Sequence, residues 1–332
     1  MPELPEVETT KISLAPLLGR KVTNVEVFQP KLRWSMPDDL NSLIDYTLDS
    51  VERRAKYLIL NFIPLVADNA ISPIQTNTFQ INTLKPRQLL IHLGMSGSLQ
   101  QHSHASEKRK HDHLVMTFIG ADNTQTQLHY YDPRRFGSVL WLEDYGHKLL
   151  DHLGPEPLSE AFTPDYLYDL IQRTNNPNQA SNATLTNEIT DNKTITSKKI
   201  VNKTTANKQP IKRAIKSVIM EQQVVVGVGN IYATESLYLS GIHPATPAHE
   251  LSFEQITVLV DHIKVILQKA IALGGSTLRD FTVASGQTGY FQQTLNVYGR
   301  NGETCPQCNT VLENVKLNGR ASVYCPHCQP IS

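Results

Sequence analysis

The chain's four cysteines limit what it can fold into more than any other feature. Cys305-Pro306-Gln307-Cys308 and Cys325-Pro326-His327-Cys328 are sixteen residues apart, and no other Cys occurs. Two pairs at this spacing fit a tetrahedral zinc closed by four thiolates, which holds structure in place and performs no chemistry. A redox pair is disfavoured, because no βαβ pattern surrounds either one. Between the pairs, residues 311–316 and 321–324 are strand-like. Asn318-Gly319 between them is a preferred type I′ hairpin turn. Arg320 follows directly, so a zinc-braced hairpin would carry a cation near its tip.

The other end of the chain reads Pro2-Glu3-Leu4-Pro5-Glu6-Val7-Glu8. The small residue after Met1 predicts removal of that Met, leaving Pro2 as a free secondary amine. Such an amine attacks an aldehyde-level carbon to give an iminium. A lone Pro2 would be an ordinary helix-entry residue, so its meaning depends on the rest of the chain.

The pattern predicts a helix over 5–18, with Val7, Leu14, Leu17 and Leu18 as its apolar stripe and Gly19 as its end. From about 21 to 142, short β-rich runs are broken by Gly, Pro, Asn and Asp. They contain Val22, Val25 and Val27, then 57–60, 89–91, 114–116 and 139–141. This predicts a β-sandwich or barrel with the first helix attached. After about 148 the period becomes helical. The clearest helix is 251–273, with a Ser252/Gln255 capping pair, core positions from Ile256 to Ile271, and Gly274-Gly275 at its end. Residues 64–86 read as a long surface loop. Residues 174–209, rich in Asn, Thr and Lys without an aromatic, read as a disordered insertion. From Lys193 to Lys216 there are eight Lys or Arg and no acid, either a solvated loop or an arm that touches phosphate.

A length of 332 residues suits two or three domains. The expected bounds are 1–145, 146–290 and 291–330. No run of 18 apolar residues exists, so no membrane helix is expected. Carboxylates stand where a signal peptide needs cations, which predicts a cytoplasmic protein. The formal net charge is zero and gives no support to a nucleic-acid partner by itself, because its distribution matters more.

Two further clusters carry chemistry. Gly227-Val228-Gly229-Asn230-Ile231-Tyr232 opens a predicted helix, whose free N–H groups, with Asn230, would suit a phosphate. Alone it equally suits an ordinary turn and cap. Asp132-Pro133-Arg134-Arg135-Phe136-Gly137 joins His92-Leu93-Gly94-Met95-Ser96-Gly97 and Arg109-Lys110-His111. Together they offer a wedge and cations, which a protein needs to bend DNA and fill the gap left by an extruded base.

In this order, the pieces resemble the formamidopyrimidine-DNA glycosylases, bacterial base-excision enzymes for oxidised purines. The matching segments are 2–9, 53–58, 92–99, 110–113, 132–137, 152–158, 227–232, 297–300 and the cysteine hairpin, nearly the whole chain. The resemblance implies an α+β architecture: an N-terminal helix with a β-sandwich, a helix–two-turn–helix domain, and a zinc finger. It implies a monomer acting on duplex DNA, with one structural Zn2+ on Cys305, Cys308, Cys325 and Cys328, and no protein or membrane partner. Pro2 would attack the sugar C1′. Glu3 resembles the family's acid and Glu6 its neighbour. Lys56 resembles the lysine of lesion recognition and proton transfer, and Arg320 the finger arginine that holds phosphate. Met95, Arg134 and Phe136 resemble the residues that fill the void and contact the opposite cytosine. His111, Lys212 and Asn230 resemble DNA-backbone contacts. A lesion-capping loop would fall near Ser285–Tyr290.

Two alternatives stand beside this. The endonuclease VIII type shares the N-terminal Pro-Glu but excises oxidised pyrimidines. Leu4, where that branch would have Gly, and the Met95, Arg134, Phe136 set favour the purine enzyme. A zinc-finger DNA-binding protein without catalysis would have no use for Pro2, Glu3 and Lys56 together. The chain departs from typical members in the 174–209 insertion, the longer 64–86 segment and the zero net charge, which predicts a modest salt dependence of DNA binding.

Overall fold

A computed structural model describes residues 2–64, 85–103, 106–173, 209–275 and 294–331. The expected loop at 64–86, the insertion at 174–209 and the loop at Ser285–Tyr290 lie almost wholly outside the described residues.

Helix α1 is Leu4–Ser13. Pro5 suits its first turn, and Glu6 returns its carboxylate to the Glu3 N–H at 2.8 Å. The helix ends five residues before the sequence predicts. Pro16 lacks the N–H that would bond to Ile12, and its ring disfavours helix at the residue before it. The chain tightens instead into a 3-10 turn, Ala15–Leu17. Leu14 and Leu17 are buried as expected, but Leu18 is 44% exposed.

Eight antiparallel strands follow: β1 Lys21–Val27, β2 Tyr46–Arg54, β3 Tyr57–Pro64, β4 Arg87–His92, β5 Ser98–His102, β6 Asp112–Ile119, β7 Gln125–Tyr131 and β8 Ser138–Trp141. Their order is β5-β7-β6-β1-β2-β3-β4-β8. β1 and β2 meet only at Lys21 and Thr47. That narrow seam lets two four-stranded halves close on one core, the expected sandwich. Val22, Leu48, Leu60, Phe62, Phe118, Tyr130 and Trp141 fill it, with Val7 and Leu14 of α1.

Helix α2, Leu142–Leu150, has no buried residue and packs on β4 and β8, while the second core is helical: α3 Pro164–Gln172, α4 Ile215–Ile219, α5 Asn230–Leu239 and α6 Phe253–Ala272. In α5 every residue from Ile231 to Tyr238 is buried, so it runs through the middle and lacks the polar face of a surface helix. In α6 the Ser252–Gln255 capping pair forms as predicted, at 2.9 and 3.2 Å. Ala270 takes the last core position and Ile271 is half-buried.

Strands β9 Glu313–Leu317 and β10 Arg320–Tyr324 form the terminal hairpin. Asn318 and Gly319 have φ of +46° and +77°, the positive pair a type I′ turn requires. The finger packs on the helical half: Tyr238 of α5 joins Val297, Leu312 and Val323 in one small core. Gln329 donates to the Ile242 carbonyl at 2.7 Å. The molecule is therefore a mixed α+β protein with a β-sandwich, a helical domain and a four-cysteine hairpin.

Candidate active site and nucleic-acid interface

The start of α1 meets the start of α5. The Glu3 carboxylate accepts the Gly229 N–H at 3.0 Å and the Ile231 N–H at 3.1 Å. The expected anion at this helix terminus is thus a carboxylate of the protein, and those two amides are already taken. Both glycines of the motif serve this contact. A Cβ at Gly229 would overlap the Glu3 carboxyl group, and one at Gly227, whose φ is +77°, would overlap Leu4. The Leu4 N–H also donates to the Gly227 carbonyl at 3.1 Å.

Glu3 is 2% exposed and Glu6 fully buried. The Glu6 carboxylate accepts the Tyr232 hydroxyl at 2.8 Å. Opposing influences act on Glu3. Burial raises its pKa most, Lys56 lowers it, Glu6 raises it, and the Ile231 and Tyr232 amides lower it. The net shift is upward, so desolvation overcomes the helix terminus. Glu3 holds a proton to higher pH than an ordinary carboxyl group.

Lys56 lies in the β2–β3 turn and is half-buried. Burial lowers its pKa, Glu3 and Glu6 raise it, Arg320 lowers it, and the net shift is downward. His92 is held neutral, its pKa lowered to about 4 by burial and by the Lys56 and Arg33 charges. Pro2 is buried next to Glu3 in the chain. The structure therefore draws Glu3, Glu6, Lys56 and Arg320 into one electrostatic cluster from α1, the β2–β3 turn and the finger.

One member was not foreseen from the sequence. Lys216 of α4 is 1% exposed. Its amine donates to Ser322 Oγ at 2.7 Å and the Ala321 carbonyl at 3.1 Å, on the finger strand after Arg320. Burial lowers its pKa to about 8, Glu3 opposes and Arg320 adds. Lys212, named from the sequence, is exposed in the segment before α4 begins. A Lys within the apolar run Ile215 to Ile219 was the available signal. Lys216, Met220, Asn318 and Arg320 line a cavity of about 220 Å³ between α4 and the hairpin.

The sulfur atoms of Cys305, Cys308, Cys325 and Cys328 lie within 4.8 Å of one another. The Cys305–Cys328 and Cys308–Cys325 separations are 3.9 and 3.4 Å. Four thiolates about 2.3 Å from a tetrahedral zinc are spaced similarly, so the donor set fits one structural Zn2+. The Tyr238 hydroxyl lies 3.2 Å from Cys305 Sγ and supports that ligand from α5.

A third group stands on the β-sandwich, in the turns after β4 and β7. Ser96 donates to Asp132 at 2.7 Å, the Arg134 N–H to Ser96 at 3.2 Å, and the Gly137 N–H to Asp132 at 2.9 Å. This network joins the 92–97 and 132–137 turns. From it project Met95, 37% exposed, and Phe136, 47% exposed, with the Arg134 guanidinium 5.2 Å from the Phe136 ring centre. Large apolar tips held rigidly in water suit insertion into a base stack. His111 is half-buried beside a cavity of about 300 Å³, also lined by Lys108, Lys110 and Arg135. Asn230 opens α5, and its side chain bonds to the Tyr298 hydroxyl.

Comparison with known proteins gives this arrangement its class. Residues 1–139 match the model of the formamidopyrimidine-DNA glycosylase N-terminal domain, 185–282 the H2TH domain of the same enzymes, and 302–331 the zinc finger found in FPG and IleRS. Together they define a zinc-finger DNA glycosylase. The chain belongs to the formamidopyrimidine-DNA glycosylase family. It is 75% identical over 331 residues to the formamidopyrimidine-DNA glycosylase of Psychrobacter arcticus, covering 100% of this chain and 99% of the relative. The enzyme of that name from Acinetobacter baylyi is 48% identical, with the same coverage. A Lactococcus lactis FPG mutant, solved with Fapy-dG containing DNA, superposes with a TM-score of 0.74 at 30% identity, covering 99% of this chain and 100% of that one.

Proposed function

We propose that this chain is a bifunctional glycosylase and lyase that removes 8-oxoguanine and formamidopyrimidines from duplex DNA and then cuts the strand by β,δ-elimination. The observation that carries the reading is the raised, buried Glu3 carboxyl on the α5 terminus, directly after Pro2 and facing Lys56. With Met1 removed, the Pro2 nitrogen uses its lone pair to attack C1′. The bond from C1′ to the base breaks, and its electron pair leaves with the base, which takes up the proton that the Pro2 nitrogen sheds. Opening of the sugar, with O4′ protonated by Glu3, leaves an iminium joining Pro2 to C1′. The iminium makes the C2′ proton acidic, so the 3′ phosphate and then the 5′ phosphate depart.

Glu6 holds the α1 start through the Glu3 N–H, and Lys56 contacts the lesion and moves a proton. Arg320, with Lys216 behind it, holds phosphate. Met95, Arg134 and Phe136 fill the space left by the extruded nucleotide. His111, Lys212 and Asn230 contact the backbone. The three units divide at 1–145, 146–290 and 291–330, and the enzyme works in the cytoplasm on nucleoid DNA. Borohydride trapping on a duplex carrying one 8-oxoguanine opposite cytosine tests this. A covalent adduct mapped to Pro2 is expected. Tight binding without an adduct, or preference for thymine glycol, would overturn the reading.

A further inference from the structure

Ala55 precedes Lys56 and has a φ of +55°, a left-handed conformation that favours Gly or Asn and is strained for Ala. It is also buried, at 1% exposure. Something must hold this turn, and the contacts come from a distant segment. Glu156 Oε1 accepts the Ala55 N–H at 2.7 Å and Arg54 Nη1 at 3.0 Å, while Oε2 accepts Arg53 Nη1 at 2.6 Å. Arg53 Nη1 also donates to the Ala55 carbonyl at 3.0 Å, and its Nε to Glu8 of α1 at 2.5 Å. Arg54 donates to the Leu153 and Gly154 carbonyls at 3.0 and 2.7 Å.

The segment bearing Glu156 is itself fastened to the helical half. The Gly154 N–H donates to the Gln222 carbonyl at 2.7 Å, and the Val226 N–H to the Pro155 carbonyl at 3.1 Å. A Cβ at Gly154 would collide with the Gln223 and Val224 carbonyls. Residues 222–226 run directly into Gly227 and Gly229, where Glu3 is seated. One carboxylate therefore joins the Lys56 turn to the stretch that fixes the acid. No role was expected of Glu156 from the sequence.

We infer that Glu156 is a positioning residue: it clamps the left-handed Ala55 turn and sets where the Lys56 amine stands relative to Glu3. The inference deepens the proposed function and rests on Lys56 acting in lesion removal. The test uses the full zinc-loaded chain in single-turnover assays on two duplexes, one with 8-oxoguanine and one with a preformed abasic site. Glu156→Gln keeps the side chain's size and removes its charge. It is expected to slow 8-oxoguanine excision by about 10- to 100-fold, as displacement of a working group by about 1 Å does. Cleavage at the abasic site, which depends on Pro2 and Glu3, is expected to stay within about threefold. In a Lys56→Met background the same change should add less than about twofold, since two residues acting through one step do not add.

Independent, multiplicative losses in the double variant would overturn the inference, as would equal losses on both duplexes. Should Glu156→Gln not fold, Glu156→Asp, which retracts the carboxylate and keeps its charge, undergoes the same comparison. Native excision by Lys56→Met alone would instead overturn the role of Lys56 on which the inference rests, a result distinct from additivity.

Discussion

At Gly229 one hydrogen in place of a methyl group lets Glu3 reach its helix. Gly229→Ala is expected to reduce base excision by about 100-fold and stability by about 1–3 kcal/mol, read by single-turnover kinetics and thermal melting. Two of the shifted groups at the site, Glu3 and Lys216, make opposite demands on pH. Glu3 binds its proton more tightly in the folded chain, so the ionised carboxylate weakens the fold as pH rises past the ordinary carboxylate range. Glu3→Gln should therefore melt higher than the native chain at neutral pH while losing excision. Lys216 is the reverse. Its pKa is about 8 in the fold against 10.5 ordinarily. Between those values the unfolded chain holds more protons, and stability rises with pH. Lys216→Met should flatten that rise, by up to a few kcal/mol at about 1.4 kcal/mol for each pKa unit, in denaturant titrations across that window.

Among the elements, the finger hairpin depends most on something outside its own strands. β9 and β10 are five residues each, too little for two strands to stand alone. Chelation of zinc, or Cys305→Ser, is expected to disorder the hairpin and lower DNA affinity at least about tenfold, with most α-helical circular dichroism retained. Unchanged affinity in a zinc-free protein would refute this. The same scale shows what the sequence made legible. The cysteine spacing, the Asn318-Gly319 turn and the Ser252 cap are local, and the structure reproduces each. β2 is hidden in the sequence because Asp49, Glu52, Arg53 and Arg54 interrupt its apolar signal, and the two arginines are committed to Glu8 and Glu156. α1 looks longer in the sequence than it is, because the apolar period runs on through Pro16. Lys216 and Glu156 were illegible for another reason. Their partners lie about a hundred positions away, and no periodicity reports a contact across that distance.

For the whole molecule, the formal net charge is zero, so DNA binding is expected to rest on local cations and not on the overall field. A plot of log affinity against log salt is expected to have a slope of about −3 to −5, corresponding to a handful of phosphate contacts. A slope near −10 would show a much wider basic footprint. The candidate site is assembled from all three units, since Glu3 and Lys56 belong to the first, Lys216 to the helical domain and Arg320 to the finger. α5 is common to them. Its first turn receives the Glu3 carboxylate, and Tyr238, near its last turn, touches Cys305. α5 is a rod of ten residues, about 15 Å long, in which Ile231 meets the acid and Tyr238 the metal ligand. Such a rod works as a gauge with two fixed ends. A residue inserted in or deleted from a connecting loop changes a length. One inserted in α5 would turn one end against the other by about 100°, pulling either the amides from Glu3 or the hydroxyl from Cys305. Lineages and engineers alike can vary the connections of this enzyme, but the residue count of α5 is a dimension they must leave alone.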